Sequence, residues 1–185
     1  MKNLNKLPIQ LMTFCFFFLI VNAQTSHKYV GVQRCKMCHS NENRGNQFKI
    51  WIHSNHSKAF ETLKTQKANR LAKKMGIKKN ASKANECLKC HVTAFGVKKE
   101  LITKIFNKEN GIQCETCHGA GSDYSLITVM TNKNKAVAAG LHIYGSKEKI
   151  KTLCQTCHNK QSPNFKKFDF EKMWDKIKHY RKNNF

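Results

Sequence analysis

Acidic side chains are scarce in this sequence, and patterns that would build a sheet are missing. Only 11 Asp and Glu stand against 34 Lys and Arg, which gives a formal net charge of +23. No segment alternates apolar and polar residues over any useful length, which argues against a fold organised around strands. The mean hydropathy is −0.59, so the chain has modest apolar material for a conventional core. The fold class that these absences leave is mainly α, with little or no sheet.

Long apolar runs are also missing, except for one at the N-terminus. Lys2 and Lys6 come before the apolar residues 11–21, and Val21-Asn22-Ala23 has the form of a small-residue cleavage site. This is the pattern of a secretory signal peptide, and the run is short for a membrane span. We therefore expect residues 1–23 to be a signal peptide that directs export to the periplasm, and residues 24–185 to form a single domain that does not require membrane association.

Beyond the signal segment, cysteine is absent except in four pentapeptides of the form C-x-x-C-H. They are CKMCH at 35–39, CLKCH at 87–91, CETCH at 114–118 and CQTCH at 154–158. A disulfide framework has no reason to place a histidine directly after each close pair, and a zinc site of four thiolates does not need the histidines. A thioredoxin-like motif would occur once, within a βαβ unit that this sequence lacks. The three common roles of paired cysteines are therefore disfavoured.

The C-x-x-C-H pattern is typical of covalent attachment of c-type haem. Two thiols add to the two vinyl groups of one haem, and the histidine takes an axial position on its iron. Positions i, i+3 and i+4 lie on one side of a single helical turn. The sequence thus predicts four covalently attached haem c groups, with their iron, forming much of the core of a compact multihaem cytochrome c. The predicted attachment residues and proximal ligands are Cys35, Cys38, His39, Cys87, Cys90, His91, Cys114, Cys117, His118, Cys154, Cys157 and His158.

Two segments between and after these motifs have helical periodicity. Residues 53–76 predict one amphipathic helix with Phe60 and Leu63 on its apolar stripe and with Gly76 at its end, followed by a polar loop over 76–86. The segment FDFEKMWDKIKHYRK predicts a second helix, with Phe170 and Trp174 on its apolar side. The fold is therefore expected to be helical and organised by the cofactors.

The sixth ligand of each iron determines what a haem can do. A closed haem, with two axial protein ligands, passes electrons, whereas an open haem, with one, can also bind a small molecule. The histidines that remain after the proximal four are His27, His53, His56, His142 and His179. His56 and its competitor His53 both project onto the apolar stripe of the first predicted helix. His179 points away from the apolar side of the second helix, so it can ligate only if that helix ends before it or if both sides face haem.

The sequence resembles the tetrahaem cytochrome c-554 family over nearly all of residues 24–185. GIQCETCHGAG is similar to the family's G-x-x-C-E-x-C-H-G-x-G, and WIHSNHSKA matches its W-x-x-S-x-H-x-x-A. The resemblance implies that His56, and not His53, is the sixth ligand of the third haem, and that His179 closes the fourth. It also implies that the second haem, at His91, is open.

The resemblance gives no ligand for the first haem in this chain. In the family, a histidine soon after the third attachment site closes that haem, whereas this sequence has GAGSDYS there, with Tyr124 and no nearby histidine. The alternatives are Tyr124, His142, His27 or no protein ligand, and all of them stay open at this point.

Together these features predict a periplasmic tetrahaem c-type cytochrome that carries electrons between redox proteins. The alternative is an enzyme that reduces nitric oxide or another nitrogen oxide at a five-coordinate haem, but the segment CLKCHVTAFGVKK is apolar and basic, so a proton donor would have to come from elsewhere in the fold. The lysine excess favours redox partners with acidic docking surfaces, met by electrostatic steering. Nucleic acid is not expected as a partner, because no nucleic-acid motif is present.

Overall fold

The computed structural model describes residues 26–180. The signal peptide expected at residues 1–23 therefore lies outside the described residues. Short helices joined by turns make up the described chain: α1 Val32–His39, α2 Gln47–Ile52, α3 Ala59–Leu63, α4 Gln66–Lys74, α5 Asn85–His91, α6 Cys114–His118, α7 Ile127–Met130, α8 Lys133–Ala138, α9 Lys147–Gln155 and α10 Phe170–Ile177. Single 3₁₀ turns occur at Glu42–Arg44, Ala81–Lys83, Lys99–Leu101 and Lys108–Asn110.

The mainly helical fold class is confirmed for this part of the chain. Residues 26–180 form no sheet; their one β-type contact is an isolated parallel bridge between Tyr29 and Ile102. Over the same range, no helix is both long enough and apolar enough to cross a membrane.

The prediction of one long helix over residues 53–76 is wrong for the first part of that segment. A turn separates α2 from α3, and both His53 and His56 lie in it. Two serine hydroxyls hold this turn: Ser54 Oγ donates to the Trp51 carbonyl at 2.7 Å, and Ser57 Oγ donates to the Ile52 carbonyl at 2.9 Å. Serine side chains that bond nearby backbone compete with helical hydrogen bonds, which explains the interruption.

The second part of that segment is helical, as expected, but is divided once more. The side chain of Thr65 accepts a hydrogen bond from the Ala68 N–H at 3.2 Å, so it caps a new helix, α4. The expected stop at Gly76 is confirmed: α4 ends at Lys74, and Gly76 follows in the left-handed conformation with φ of +75°. Residues 76–86 are mostly loop, with one 3₁₀ turn.

The predicted C-terminal helix is present, and its end decides the position of His179. Asp169 caps its start, because its carboxylate accepts from the Lys172 N–H at 3.2 Å. The helix stops at Ile177, since Lys178 is extended, with φ of −57° and ψ of 141°. His179 is therefore free of the helical periodicity that would turn it away from the apolar side.

The apolar core that the polypeptide builds alone is small. Its main cluster joins α3, α4 and α5 and consists of Phe60, Leu63, Ala72, Ala81 and Val92. Other large apolar side chains stay exposed, among them Met37 at 72% and Ile105 at 60%. At about 25 cal/mol per Å² of buried apolar surface, so small a cluster contributes little stability to a chain of this length.

Candidate functional site

Each of the four C-x-x-C-H motifs lies on a helix or at its end. The first occupies the last turn of α1, the second ends α5, and the third is the whole of α6. The fourth begins at the last residues of α9, and the His158 N–H still donates to the Cys154 carbonyl at 2.9 Å. This local geometry puts two cysteines and one histidine on the same side of each turn, as covalent attachment of haem requires.

Most of the proximal histidines are oriented by a hydrogen bond at Nδ1. His39 Nδ1 contacts Gln47 Oε1 at 3.1 Å, and His118 Nδ1 contacts the His142 carbonyl at 3.3 Å. His91 Nδ1 lies 2.7 Å from the Ala59 carbonyl. Because a carbonyl oxygen only accepts, these contacts place the proton on Nδ1 and leave the Nε2 lone pair free. This is the arrangement that protein ligands of metals commonly have.

Two pairs of histidine rings lie at the separation that a shared iron requires. The ring centroids of His56 and His158 are 6.1 Å apart, and those of His118 and His179 are 5.9 Å apart. Two imidazoles that bind one metal from opposite sides, each by a bond of about 2 Å, have centroids roughly 6 Å apart. The residues present therefore fit two irons with two histidine ligands each.

Burial favours the neutral form of these four rings. Desolvation is the largest cause of a lowered pKa at His56, His118, His158 and His179. A neutral imidazole has the lone pair that a metal needs, so the environment suits ligation. His53, by contrast, is exposed in the same turn as His56.

The observed ring contacts differ from the pairing that the resemblance implied. His56 faces the proximal histidine of the fourth motif, not of the third, and His179 faces that of the third motif, not of the fourth. The reason is where the C-terminal segment lies: Gln47 Nε2 donates to the Tyr180 carbonyl at 3.3 Å, and Gln47 Oε1 contacts His39. This attachment draws His179 toward α1 and α6.

Two of the candidates for the sixth position at the first motif have side-chain partners. Tyr124 is buried, and its hydroxyl donates to the Gly119 carbonyl at 2.7 Å. His27 pairs with the Asp123 carboxylate. The backbone N–H of His142 donates to the His118 carbonyl at 3.0 Å, a bond that does not involve the His142 imidazole. Within residues 26–180, no ring pair like the two above includes His39 or His91.

The four motifs are close together in space. Neighbouring Cys114, followed by burial, raises the pKa of Cys35. Burial and then neighbouring Cys157 raise the pKa of Cys90 to about 11, and burial and then neighbouring Cys154 raise that of Cys117 to about 11. The first motif is therefore a neighbour of the third, the third of the fourth, and the fourth of the second.

No alternative metal site is evident in the described part of the chain. Within residues 26–180, no group of three or more His, Cys, Asp or Glu side chains converges as a metal site would require. The eight motif cysteines are unpaired and half-buried. Each motif thus offers a pair of thiols beside a single imidazole. This suits haem c, because the thiols would bond to carbon atoms of the porphyrin and the imidazole would bind the iron.

The W-x-x-S-x-H-x-x-A element has a structural explanation that the sequence alone did not supply. Trp51 is buried, and its Nε1–H donates to the Ile112 carbonyl at 2.7 Å. The Ile112 N–H in turn donates to the His56 carbonyl at 2.9 Å. The element therefore fastens the His56 turn to the segment before the third motif, while the Ala59 carbonyl orients His91.

Sequence reasoning also missed a ring that stacks on His158 and two buried side chains beside Cys114. Phe168 stacks on His158, with ring centroids 4.7 Å apart and an angle of 10° between the planes. Glu115 and Gln113, on either side of Cys114, are almost completely buried. The only signal for Glu115 was its place in the G-x-x-C-E-x-C-H-G-x-G pattern, which gives a position but no contact.

Comparison with known proteins shows a similarity to one family. The family model described as "Cytochrome c554 and c-prime" matches residues 34–119, which include the first three motifs. A curated relative, cytochrome c-554 of Nitrosomonas europaea, is 29% identical over 106 residues, which cover 52% of this chain and 40% of the relative. The match thus spans less than half of the relative's own length. No solved structure matches.

These matches, with the helix-borne C-x-x-C-H motifs and the iron-spaced histidine pairs, give one answer. The family consists of c-type cytochromes, whose membership implies covalently bound haem c. Over residues 34–119, the chain is therefore similar to the cytochrome c-554 family.

Proposed function

We propose that the chain is a periplasmic tetrahaem c-type cytochrome that carries electrons between redox proteins. The observation that carries this proposal is the number of complete attachment sites: each of the four C-x-x-C-H motifs has its cysteines and histidine on one helical turn. When bound, the haem irons supply reversible one-electron chemistry. The export signal expected at residues 1–23 supports the periplasmic location.

The polypeptide holds the four sites as one connected series. The neighbouring cysteines indicate the spatial order first, third, fourth, second, which differs from their order in the sequence. Attachment residues that lie close together would keep neighbouring cofactors at short separation, which is what a relay of single electrons needs. His56 with His158, and His118 with His179, would close the two central sites of the series to small molecules.

The surface charge supports a protein as the partner. The net formal charge is +23, and most lysines project into solvent outside the six ion pairs found in residues 26–180. A basic surface attracts an acidic one at long range and raises the rate of encounter. We infer that donor and acceptor are redox proteins with acidic docking surfaces.

A second candidate function is small-molecule reduction at an open haem. The observation that favours it is that His91, like His39, has no histidine ring opposite it within the described residues, although its Nδ1 is held by the Ala59 carbonyl. A five-coordinate iron there would bind nitric oxide. The other three sites would then feed electrons to the second one, at the end of the spatial series.

Electron paramagnetic resonance of the oxidised protein separates the two functions. A pure carrier gives low-spin ferric signals only, and these do not change when nitric oxide is added. A high-spin signal that disappears with nitric oxide supports the reductase, provided that the chemically reduced protein then turns the gas over. A protein without ferric haem signals would contradict both functions.

A further inference from the structure

The start of α1, which leads into the first motif, has no cap from its own sequence. Gly31 occupies the N-cap position and has no side chain to accept the free N–H groups of the first turn. Three successive N–H groups are instead satisfied from the third motif. Val30 donates to Glu115 Oε1 at 2.8 Å, Gly31 donates to Glu115 Oε2 at 2.8 Å, and Val32 donates to Gln113 Oε1 at 2.7 Å.

The same carboxylate also holds the loop that follows the third motif. The Gly121 N–H donates to Glu115 Oε1 at 2.8 Å, and Glu115 is only 1% exposed. Burial raises the pKa of Glu115, while the three backbone N–H groups oppose this shift. Three donors suit an ionised carboxylate, because a protonated one would turn its O–H against an N–H group. Glu115 is therefore a buried negative charge at the N-terminus of a helix, where the helix dipole favours it.

The position of this charge relates it to two attachment sites. Glu115 follows Cys114 directly, and its carboxylate accepts from Val30 and Gly31, just before the helix that carries Cys35. The other two sites lie farther along the spatial series, on the side of Cys117. In a medium of low dielectric constant, a negative charge favours the oxidised, more positive state of nearby irons and so lowers their reduction potential.

We propose that Glu115 is a positioning residue that fastens the first attachment site to the third and lowers the reduction potential of the haems held at both. Gln113 assists by holding the Val32 N–H, and its own Nε2 donates to the Asn107 carbonyl at 2.9 Å. This inference rests on the proposed function, because it requires haem at both sites.

The test replaces Glu115 and a matched glutamate. Glu115→Gln keeps the size of the side chain but removes the charge and turns an NH₂ group toward one backbone donor. Glu86→Gln is the control, because Glu86 comes directly before Cys87 in the first turn of α5 but is exposed. Both variants and the parent are titrated potentiometrically by haem absorbance. Haem occupancy at each of the four motif peptides is measured by mass spectrometry.

Two of the four reduction steps of Glu115→Gln should shift in favour of the reduced state by about tenfold, which is about 59 mV for a one-electron couple. The other two steps, and all four in Glu86→Gln, should stay in place. Unchanged potentials, or an equal shift of all four, would overturn the proposal. If the variant loads haem poorly, occupancy should fall at motifs 35–39 and 114–118 alone; an equal fall at all four motifs would also overturn it. A parent protein without haem at those two motifs would instead refute the proposed function.

Discussion

At the scale of single residues, histidine side chains decide what each site can do. The rings of His56 and His179 lie opposite two proximal histidines at 6.1 and 5.9 Å, whereas His53, three residues before His56, is exposed. The ligand role of His56 and His179 was expected from the sequence and stays a prediction. What the structure adds is the partner of each, which no local pattern encodes, because it depends on where residues distant in the chain are brought together.

Replacing these two histidines tests the pairing. In His56→Ala and in His179→Ala, one low-spin ferric haem should become high-spin, because its iron loses one strong axial ligand. The measurement is electron paramagnetic resonance of the oxidised proteins, with His53→Ala as the unchanged control. An unaltered spin state in His56→Ala would reject His56 as a ligand.

The same histidine substitutions, made in a chain that lacks the fourth attachment site, assign each ligand to its site. A chain that carries Cys154→Ala and Cys157→Ala lacks the fourth attachment site. In that chain, His56→Ala should add no further high-spin signal, whereas His179→Ala should add one. The opposite result would restore the pairing that the resemblance implied.

At the scale of elements, tight turns position the ligands. Gly111 has φ of +70°, and a Cβ atom there would lie 2.5 Å from the His56 carbonyl oxygen. A glycine is therefore needed where the segment before the third motif meets the His56 turn. Gly76 has a similar φ of +75°, but a Cβ atom there would meet nothing within 4 Å. The two positions have similar φ values and differ in their surroundings; Gly111 also has ψ of −134°.

An alanine at each of these glycines separates the cost of a positive φ from the cost of the close contact with the His56 carbonyl. Gly76→Ala should lower the free energy of unfolding by about 1 kcal/mol, the cost of a left-handed backbone for a residue with a Cβ atom. Gly111→Ala should lower it by about 3 kcal/mol, because the His56 turn must also move. Denaturant unfolding of the holoproteins measures both values. Equal losses at the two positions would show that the contact with the His56 carbonyl has no effect on stability.

How far the sequence predicts these elements depends on how local each cause is. The end of α4 at Gly76 and the helix over Phe170–Ile177 were predictable, because caps, stops and apolar periodicity lie within a few residues. The break at residues 53–58 was missed, since two serines and the distant Ile112 hold it against a continuous apolar stripe. Glu115 was recognised only as part of a motif, because its contacts reach 84 and 85 residues back along the chain.

At the scale of the whole molecule, charge and a small polypeptide core dominate. The net formal charge of +23 favours long-range attraction of an acidic partner, and salt screens that attraction over a Debye length of about 8 Å at physiological ionic strength. The main buried apolar cluster has five members, so much of the stability should depend on attached cofactor. The net charge and the scarcity of apolar core residues could both be predicted from composition, because neither requires knowledge of individual contacts.

The rate of electron exchange should depend on salt. With an acidic redox protein as partner, the second-order rate constant should fall by about tenfold between 0.01 M and 0.5 M salt, because encounter loses its electrostatic steering. Stopped-flow absorbance at the haem bands measures it, and an uncharged small reductant serves as the control with little salt dependence. A rate with the acidic protein that is independent of salt would leave the lysines without a role in docking.

The most direct test of the central claim is the mass of the purified mature protein, measured intact and after digestion. The account predicts four haem c groups per chain, one on each of the peptides that carry residues 35–39, 87–91, 114–118 and 154–158, with no motif thiol open to alkylation. A colourless protein with the mass of the bare polypeptide, its thiols paired with one another or bound to zinc, would contradict it.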